Sequence, residues 1–274
     1  MFLFRSKNFA VPVLMYHQVI DNGSNGQHRP TPYEVSLADF EAQLDFLVEN
    51  NFETLSLREL LSMSEPRSSI SKRQVVITFD DGYVDNYLAA FPALRKRNLS
   101  ATFFVIVSRI GSSGFMTWDQ LREMQQHGMS IQSHTLNHQP LATLADDAIH
   151  AELRDSRAQL TKQLHHSVDY ISFPHGSYDD RVLRAAGETE YKAWCTSDFG
   201  YAEPLQGEPR IPRLIVRNNH SLKEFQNIVS AKGLRLMKFR TGAAARKLVV
   251  KAIGMKNYQS LYDLYYKNQP VVNS

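Results

Sequence analysis

Short runs of β-branched and aromatic residues recur along this chain, separated by stretches in which apolar residues return every three or four positions. The first run, residues 11–17, predicts a strand, and the Gly-, Asn- and Pro-rich stretch 21–33 predicts a long loop after it. Ser36 with Asp39 is a capping pattern, and Leu37, Phe40, Leu44, Leu47 and Val48 then recur at helical spacing. A short strand over 53–56, a brief helix capped by Ser56 and Glu59, and a serine-rich connection over 62–72 come next. Further strands are predicted over 75–79, 101–107, 129–131, 170–173, 191–195 and 211–216. Helices are predicted between them: about 84–97, shortened or kinked by Pro92; a segment capped by Thr117 and Gln120; about 145–165; 181–186; and one after Ser221.

Strand and helix therefore alternate seven or eight times, the signature of a parallel sheet. Over 274 residues, with 43% hydrophobic and 22% charged, this predicts a single-domain α/β protein built as a distorted (β/α)7-8 barrel.

Two strand ends carry chemistry. The run Val75-Val76-Ile77-Thr78-Phe79 delivers Asp80, Asp81 and Gly82. Two adjacent ionised carboxylates repel unless a cation or a division of roles separates them, so the pair either holds a metal or splits into one ligand and one base. As a lone tripeptide, Asp-Asp-Gly is ordinary turn chemistry. The stretch Ser133-His134-Thr135-Leu136-Asn137-His138, which also follows an apolar run, changes the balance. Two His four apart plus one Asp make three ligands with an open position, which suits catalytic Zn²⁺, with Co²⁺ or Ni²⁺ as alternatives. His150, His165 and His166 lie on a charge-rich helix and read as surface histidines. His17, at the end of the first predicted strand, is a candidate acid or substrate contact.

Thr78-Phe79-Asp80-Asp81-Gly82 and His134-Thr135-Leu136-Asn137-His138 resemble the first two motifs of the polysaccharide deacetylases, the NodB-homology or carbohydrate esterase family 4 domain. Pro12-Val13-Leu14-Met15-Tyr16-His17 resembles the opening strand of one branch, and the likeness spans roughly residues 11–229. The resemblance implies Asp81, His134 and His138 as metal ligands and Asp80 as the general base toward the attacking water. Ser172-Phe173-Pro174-His175-Gly176 is similar to a third motif, which would make the His175 backbone N–H an oxyanion donor. Two positions depart from the pattern: Ser172 stands where the family often has an Arg that engages the base, and Val216 where it often has the acidic His. His220 could replace the latter, although a solvated loop is its simpler reading. Arg210-Ile211-Pro212-Arg213 resembles a branch in which an Arg precedes the final strand, which makes Arg213 a candidate to hold an active-site carboxylate through a bidentate pair.

The implied activity is removal of an N- or O-acetyl group from an amino sugar of a polysaccharide or lipid-linked glycan. Two rivals remain open here: a hydrolase of the same fold acting on a non-sugar amide, and a carbohydrate-binding protein weakened in catalysis. A net charge of +3 is too small to imply nucleic-acid binding by the whole chain. The single Cys195 excludes an internal disulfide, and the short apolar start, residues 1–7, does not read as a signal peptide, so a cytoplasmic location is expected. Residues 231–274 read as a basic helical extension beyond a barrel of residues 1–230. Lys232, Arg235, Lys238, Arg240, Arg246, Lys247, Lys251 and Lys256 alternate there with apolar residues, a pattern suited to peripheral contact with an anionic membrane.

Overall fold

A computed structural model describes residues 10–21, 31–63, 73–203, 209–230 and 249. The predicted basic extension lies outside the described residues apart from Val249, which is exposed and helical. In chain order the strands and helices are β1 (Val13–Tyr16), β2 (Gln18–Ile20), β3 (Glu34–Ser36), α1 (Leu37–Glu49), β4 (Phe52–Thr54), α2 (Leu57–Leu61), β5 (Arg73–Phe79), α3 (Phe91–Lys96), β6 (Thr102–Val105), α4 (Trp118–Gln126), β7 (Ser130–Ser133), α5 (Asp146–Leu164), β8 (Tyr170–Ser172), α6 (Asp180–Glu188), β9 (Ala193–Phe199), β10 (Arg210–Ile215) and α7 (Leu222–Val229).

Seven parallel strands close a ring in the order β1-β10-β9-β8-β7-β6-β5 and back to β1. The closure works because one edge of the long β5 is shared. Its first residues, Arg73 to Val75, pair with β4, whereas Val76 to Phe79 pair with β1. β4 is therefore left outside the ring, and the barrel has seven closing strands. β2 and β3 form a separate two-stranded parallel strap beside the top of β1.

Alternation along each strand divides the core in two. Leu14, Tyr16, Val75, Ile77, Phe79, Phe103, Val105, Ile131 and Ile171 belong to the larger cluster beneath the helices. Val13, Val76, Phe104, Tyr170, Ala193, Cys195 and Ile211 form the other, closed at the N-terminal end of the strands by Leu57 and Leu60 of α2. The rings of Tyr16, Phe79 and Phe103 stack in sequence, 5.3 and 4.7 Å between centroids, and the Tyr16 hydroxyl donates to Gln43 Oε1 on α1 at 2.7 Å. This packing clamps the ends of β1 and β5, so the residues that follow them, His17 and Asp80, leave from a rigid base.

Local signals do what their chemistry requires. Ser36 caps α1, and full capping boxes start α2 (Ser56 with Glu59), α4 (Thr117 with Gln120) and α7 (Ser221 with Glu224). The helix expected over 84–97 is not uniform. A π turn at Asn86–Ala90 precedes α3, which begins next to Pro92. The wider turn gives the proline ring room where a regular turn would bring it against the carbonyl four residues earlier. Among the described residues, no helix is long and apolar enough to cross a membrane.

Candidate active site

The same period of two that builds the core also builds the site. Counting by twos from Val76, Tyr170 and Ile211 points Thr78 and Asp80, Ser172, and Arg213 inward at the C-terminal ends of their strands. Each of the four is buried.

Arg213 on β10 grips Asp80 with both terminal nitrogens, Nη1 to Oδ1 at 2.7 Å and Nη2 to Oδ2 at 2.7 Å. Its remaining donors reach Thr78 Oγ1 (3.2 Å), Ser172 Oγ (2.7 Å) and the Thr196 carbonyl (3.1 Å), while the guanidinium lies 5.7 Å from the centre of the Phe104 ring. Ser172 Oγ in turn donates to Asp80 Oδ2 at 3.0 Å. The position vacated by the expected arginine on β8 is thus filled by a serine, and an arginine two strands away supplies the charge. Burial by itself would push the Asp80 carboxyl up. The charges of Arg213 and His134, with the Arg213 hydrogen bonds, overcome it and hold the carboxyl below its ordinary value, so Asp80 is ionised.

Asp81 departs from β5 with φ 77° and Gly82 follows at φ 83°, so the chain turns sharply as the strand ends. A Cβ at Gly82 would meet Val105 Cγ1 at 3.0 Å, which requires glycine there on both counts. The turn sets Asp81 Oδ1 3.3 Å from both His134 Nε2 and His138 Nε2, and one ligand atom from each of the three residues lies within 4.8 Å of the others. Among the described residues, buried Asp81 Oδ1 has no hydrogen-bond partner at those distances. A buried carboxylate oxygen facing two imidazole nitrogens, with nothing bonded to it, fits a divalent cation. The His134 Nδ1 contact with the Ser172 carbonyl (2.8 Å) fixes the ring so that Nε2 faces the cluster. Burial would raise the Asp81 carboxyl, but contacts with the two histidines hold it well below its ordinary range.

The loop carrying the histidines is held from below. Glu152, buried on α5, accepts the backbone N–H groups of Leu136 (3.0 Å) and Asn137 (2.8 Å) and the Asn137 side-chain amide (2.7 Å). Thr135 Oγ1 accepts the His138 N–H at 3.0 Å, so Thr135 shapes the loop. Asp81, Thr135, His138 and His175 all have φ between 58° and 77°. Such concentration of left-handed backbone in non-glycine residues, each costing about 1–3 kcal/mol, is typical of sites whose geometry the rest of the fold enforces.

His175 lies at the mouth, its ring 4.7 Å from that of His138, with Gly176 next to it at φ 61° packed against Ser197. The His17 ring lies tilted 4.7 Å from the Tyr33 ring and close enough to Asp81 and Asp80 to feel both carboxylates. Burial dominates and lowers its imidazole pKa. Val216 is buried in the outer core and donates its N–H to the Met15 carbonyl, and His220 Nδ1 turns back to the Arg217 N–H at 3.4 Å. The structure thus brings Asp80, Asp81, His134, His138, Arg213 and Ser172 into one connected site with His175 and His17 at its edge. Glu152, Asp85 and Asn86 were not singled out from the sequence. Glu152 left one trace, an acid beside Leu153 on the apolar face of a helix.

The family model described as polysaccharide deacetylase matches residues 67–194. The Bacillus subtilis (strain 168) protein YxkH, which carries the family's name, is 36% identical over 210 residues, 77% of this chain and 72% of its own. A poly-β-1,6-N-acetyl-D-glucosamine N-deacetylase of Staphylococcus aureus (strain MSSA476) is 27% identical over 201 residues, 68% of this chain and 69% of that relative. Among solved structures, the Streptococcus pyogenes deacetylase PplD in complex with acetate superposes with a TM-score of 0.75 at 30% identity, over 81% of this chain and 99% of PplD. The chain belongs to the polysaccharide deacetylase family.

Proposed function

We propose that this chain is a metal-dependent deacetylase that removes an acetyl group from an amino sugar within a polysaccharide or lipid-linked glycan. The observation that carries the reading is the juxtaposition in one barrel mouth of an ionised, doubly gripped carboxylate, Asp80, and an Asp-His-His cluster with an unpartnered buried oxygen. Asp81, His134 and His138 would hold Zn²⁺, or Co²⁺ or Ni²⁺ in its place; when bound, such an ion supplies Lewis-acid polarisation of the acetyl carbonyl. Asp80 accepts the proton of the attacking water, and Arg213 with Ser172 keeps it ionised and aimed. The His175 N–H donates to the carbonyl oxygen as that oxygen gains charge. His17, which lies beside both carboxylates at the edge of the site, returns a proton to the leaving nitrogen. Acetylated amino-sugar oligomers incubated with Zn²⁺-loaded protein should lose acetyl groups by mass spectrometry, with about one metal per chain by elemental analysis. No acetyl loss across an N- and O-acetyl panel at full metal loading would overturn the reading.

The proposal extends to organisation: residues 1–230 form the deacetylase barrel, and residues 231–274 a basic extension that docks on an anionic membrane surface. The support is the run of eight basic residues interleaved with apolar ones.

A further inference from the structure

We propose that Asp85 and Asn86 are positioning residues that set the place of His17 in the site; this deepens the reading above and rests on its assignment of His17 to the chemistry. The β1–β5 ladder ends at Tyr16, with the Asp80 N–H donating to the Tyr16 carbonyl at 3.0 Å. Beyond that point three consecutive residues are taken over by two side chains. Asn86 Nδ2 donates to the His17 carbonyl (2.7 Å) and to Asp85 Oδ1 (2.8 Å). Asp85 Oδ1 accepts the Val19 N–H (3.1 Å), and Oδ2 accepts Gln18 Nε2 (2.9 Å).

Two buried polar atoms give this clamp its meaning. Among the described residues His17 Nδ1 is buried without a hydrogen-bond partner, so none of them tethers the ring through that nitrogen and its location follows from its backbone and from Tyr33. Asn86 is fully buried, and among the described residues its Oδ1 is also unpartnered. The amide cannot be turned round, because both atoms it faces, the His17 carbonyl and Asp85 Oδ1, are acceptors. Leaving a buried acceptor unsatisfied costs about 1–3 kcal/mol, so stability alone does not account for an asparagine here. Asp85 and Asn86 also stand four and five residues after Asp81, where the π turn begins. One short segment therefore carries a ligand of the Asp-His-His cluster and the clamp on His17, and fixes their separation.

The test is a double-mutant cycle on the zinc-loaded full chain, assayed with an acetylated amino-sugar oligomer. Asn86→Ala should lower kcat about 10- to 100-fold with KM unchanged, the scale expected for a misplaced catalytic group. In a His17→Ala background the same substitution should cost nothing further, and zinc content should match the parent in each variant. Asn86→Asp, isosteric but with an acceptor against the His17 carbonyl, should reproduce the loss and serves as the cycle partner if Asn86→Ala does not fold. Asp85→Asn should speed hydrogen exchange of the Val19 amide, a readout independent of activity. An unchanged kcat in Asn86→Ala, or losses that simply add in the double variant, would overturn the proposal. Full activity of His17→Ala would remove the assignment of His17 itself, and with it the proposal, and is visible in the single variant alone.

Discussion

Replacing Arg213 by Met removes the cation from a pair in which neither partner reaches solvent to any extent, with side-chain exposures of 0% for Arg213 and 5% for Asp80. The methionine preserves apolar bulk over Phe104 but leaves the Asp80 carboxylate buried with Ser172 as its remaining close donor among the contacts described. Breaking a buried pair from one side costs about 3–5 kcal/mol, far more than an exposed ion pair is worth. The pH dependence follows from the direction of the Asp80 shift. In the parent the folded carboxyl lies below its ordinary value near 3.8, so its contribution is in place above that value and is lost as the pH falls through the depressed folded value. In Arg213→Met burial is opposed by the His134 charge without the guanidinium or its hydrogen bonds, the folded value moves upward, and the penalty grows as the pH rises through it. The stability gap should therefore be widest at neutral pH and narrow below about pH 4. Urea unfolding in EDTA, which keeps metal out of the comparison, measures this directly. Adding Asp80→Asn to Arg213→Met should recover much of the lost stability, because the amide carries no charge to bury. A gap under about 1 kcal/mol at pH 7, or a double variant no more stable than the single, would refute the reasoning.

Three further outcomes are expected. Asp80→Asn should keep its metal by elemental analysis while losing about 10²–10⁴ in rate, because the amide cannot accept a proton; loss of metal in this variant and retention in Asp81→Asn would reverse the two roles. Glu152→Ala removes the acceptor of three donors in the 134–138 loop and should weaken metal affinity about 10- to 100-fold in a competitive chelator titration, with Glu152→Gln milder. The full chain should co-sediment with vesicles containing anionic lipid and not with neutral ones, release at high salt, and lose binding on truncation after Ser230; equal binding by the truncated chain would exclude the basic segment as the membrane contact.

The sequence by itself determined what depends on local pattern. Alternating runs and helical periodicity predicted a seven- to eight-stranded barrel, and the caps at Ser36, Ser56 and Thr117 stand where predicted because capping is decided within four residues. Asp80, Asp81, His134 and His138 were legible because strand ends carrying paired carboxylates and paired imidazoles have few other uses. What only the tertiary structure decided was everything fixed by pairing across the ring. Seven strands close because β5 divides one edge between β4 and β1, which no single segment encodes. The resemblance pointed to Arg213 as the bidentate partner of a site carboxylate; that carboxylate is Asp80, 133 residues away in the chain, because ring closure brings β10 within reach of β5. Glu152 and the Asp85–Asn86 clamp read in sequence as ordinary helix and turn residues. Their roles come from the backbone atoms of distant loops that the fold places against them, and hydrogen bonds to backbone leave no residue-type signature at the partner position.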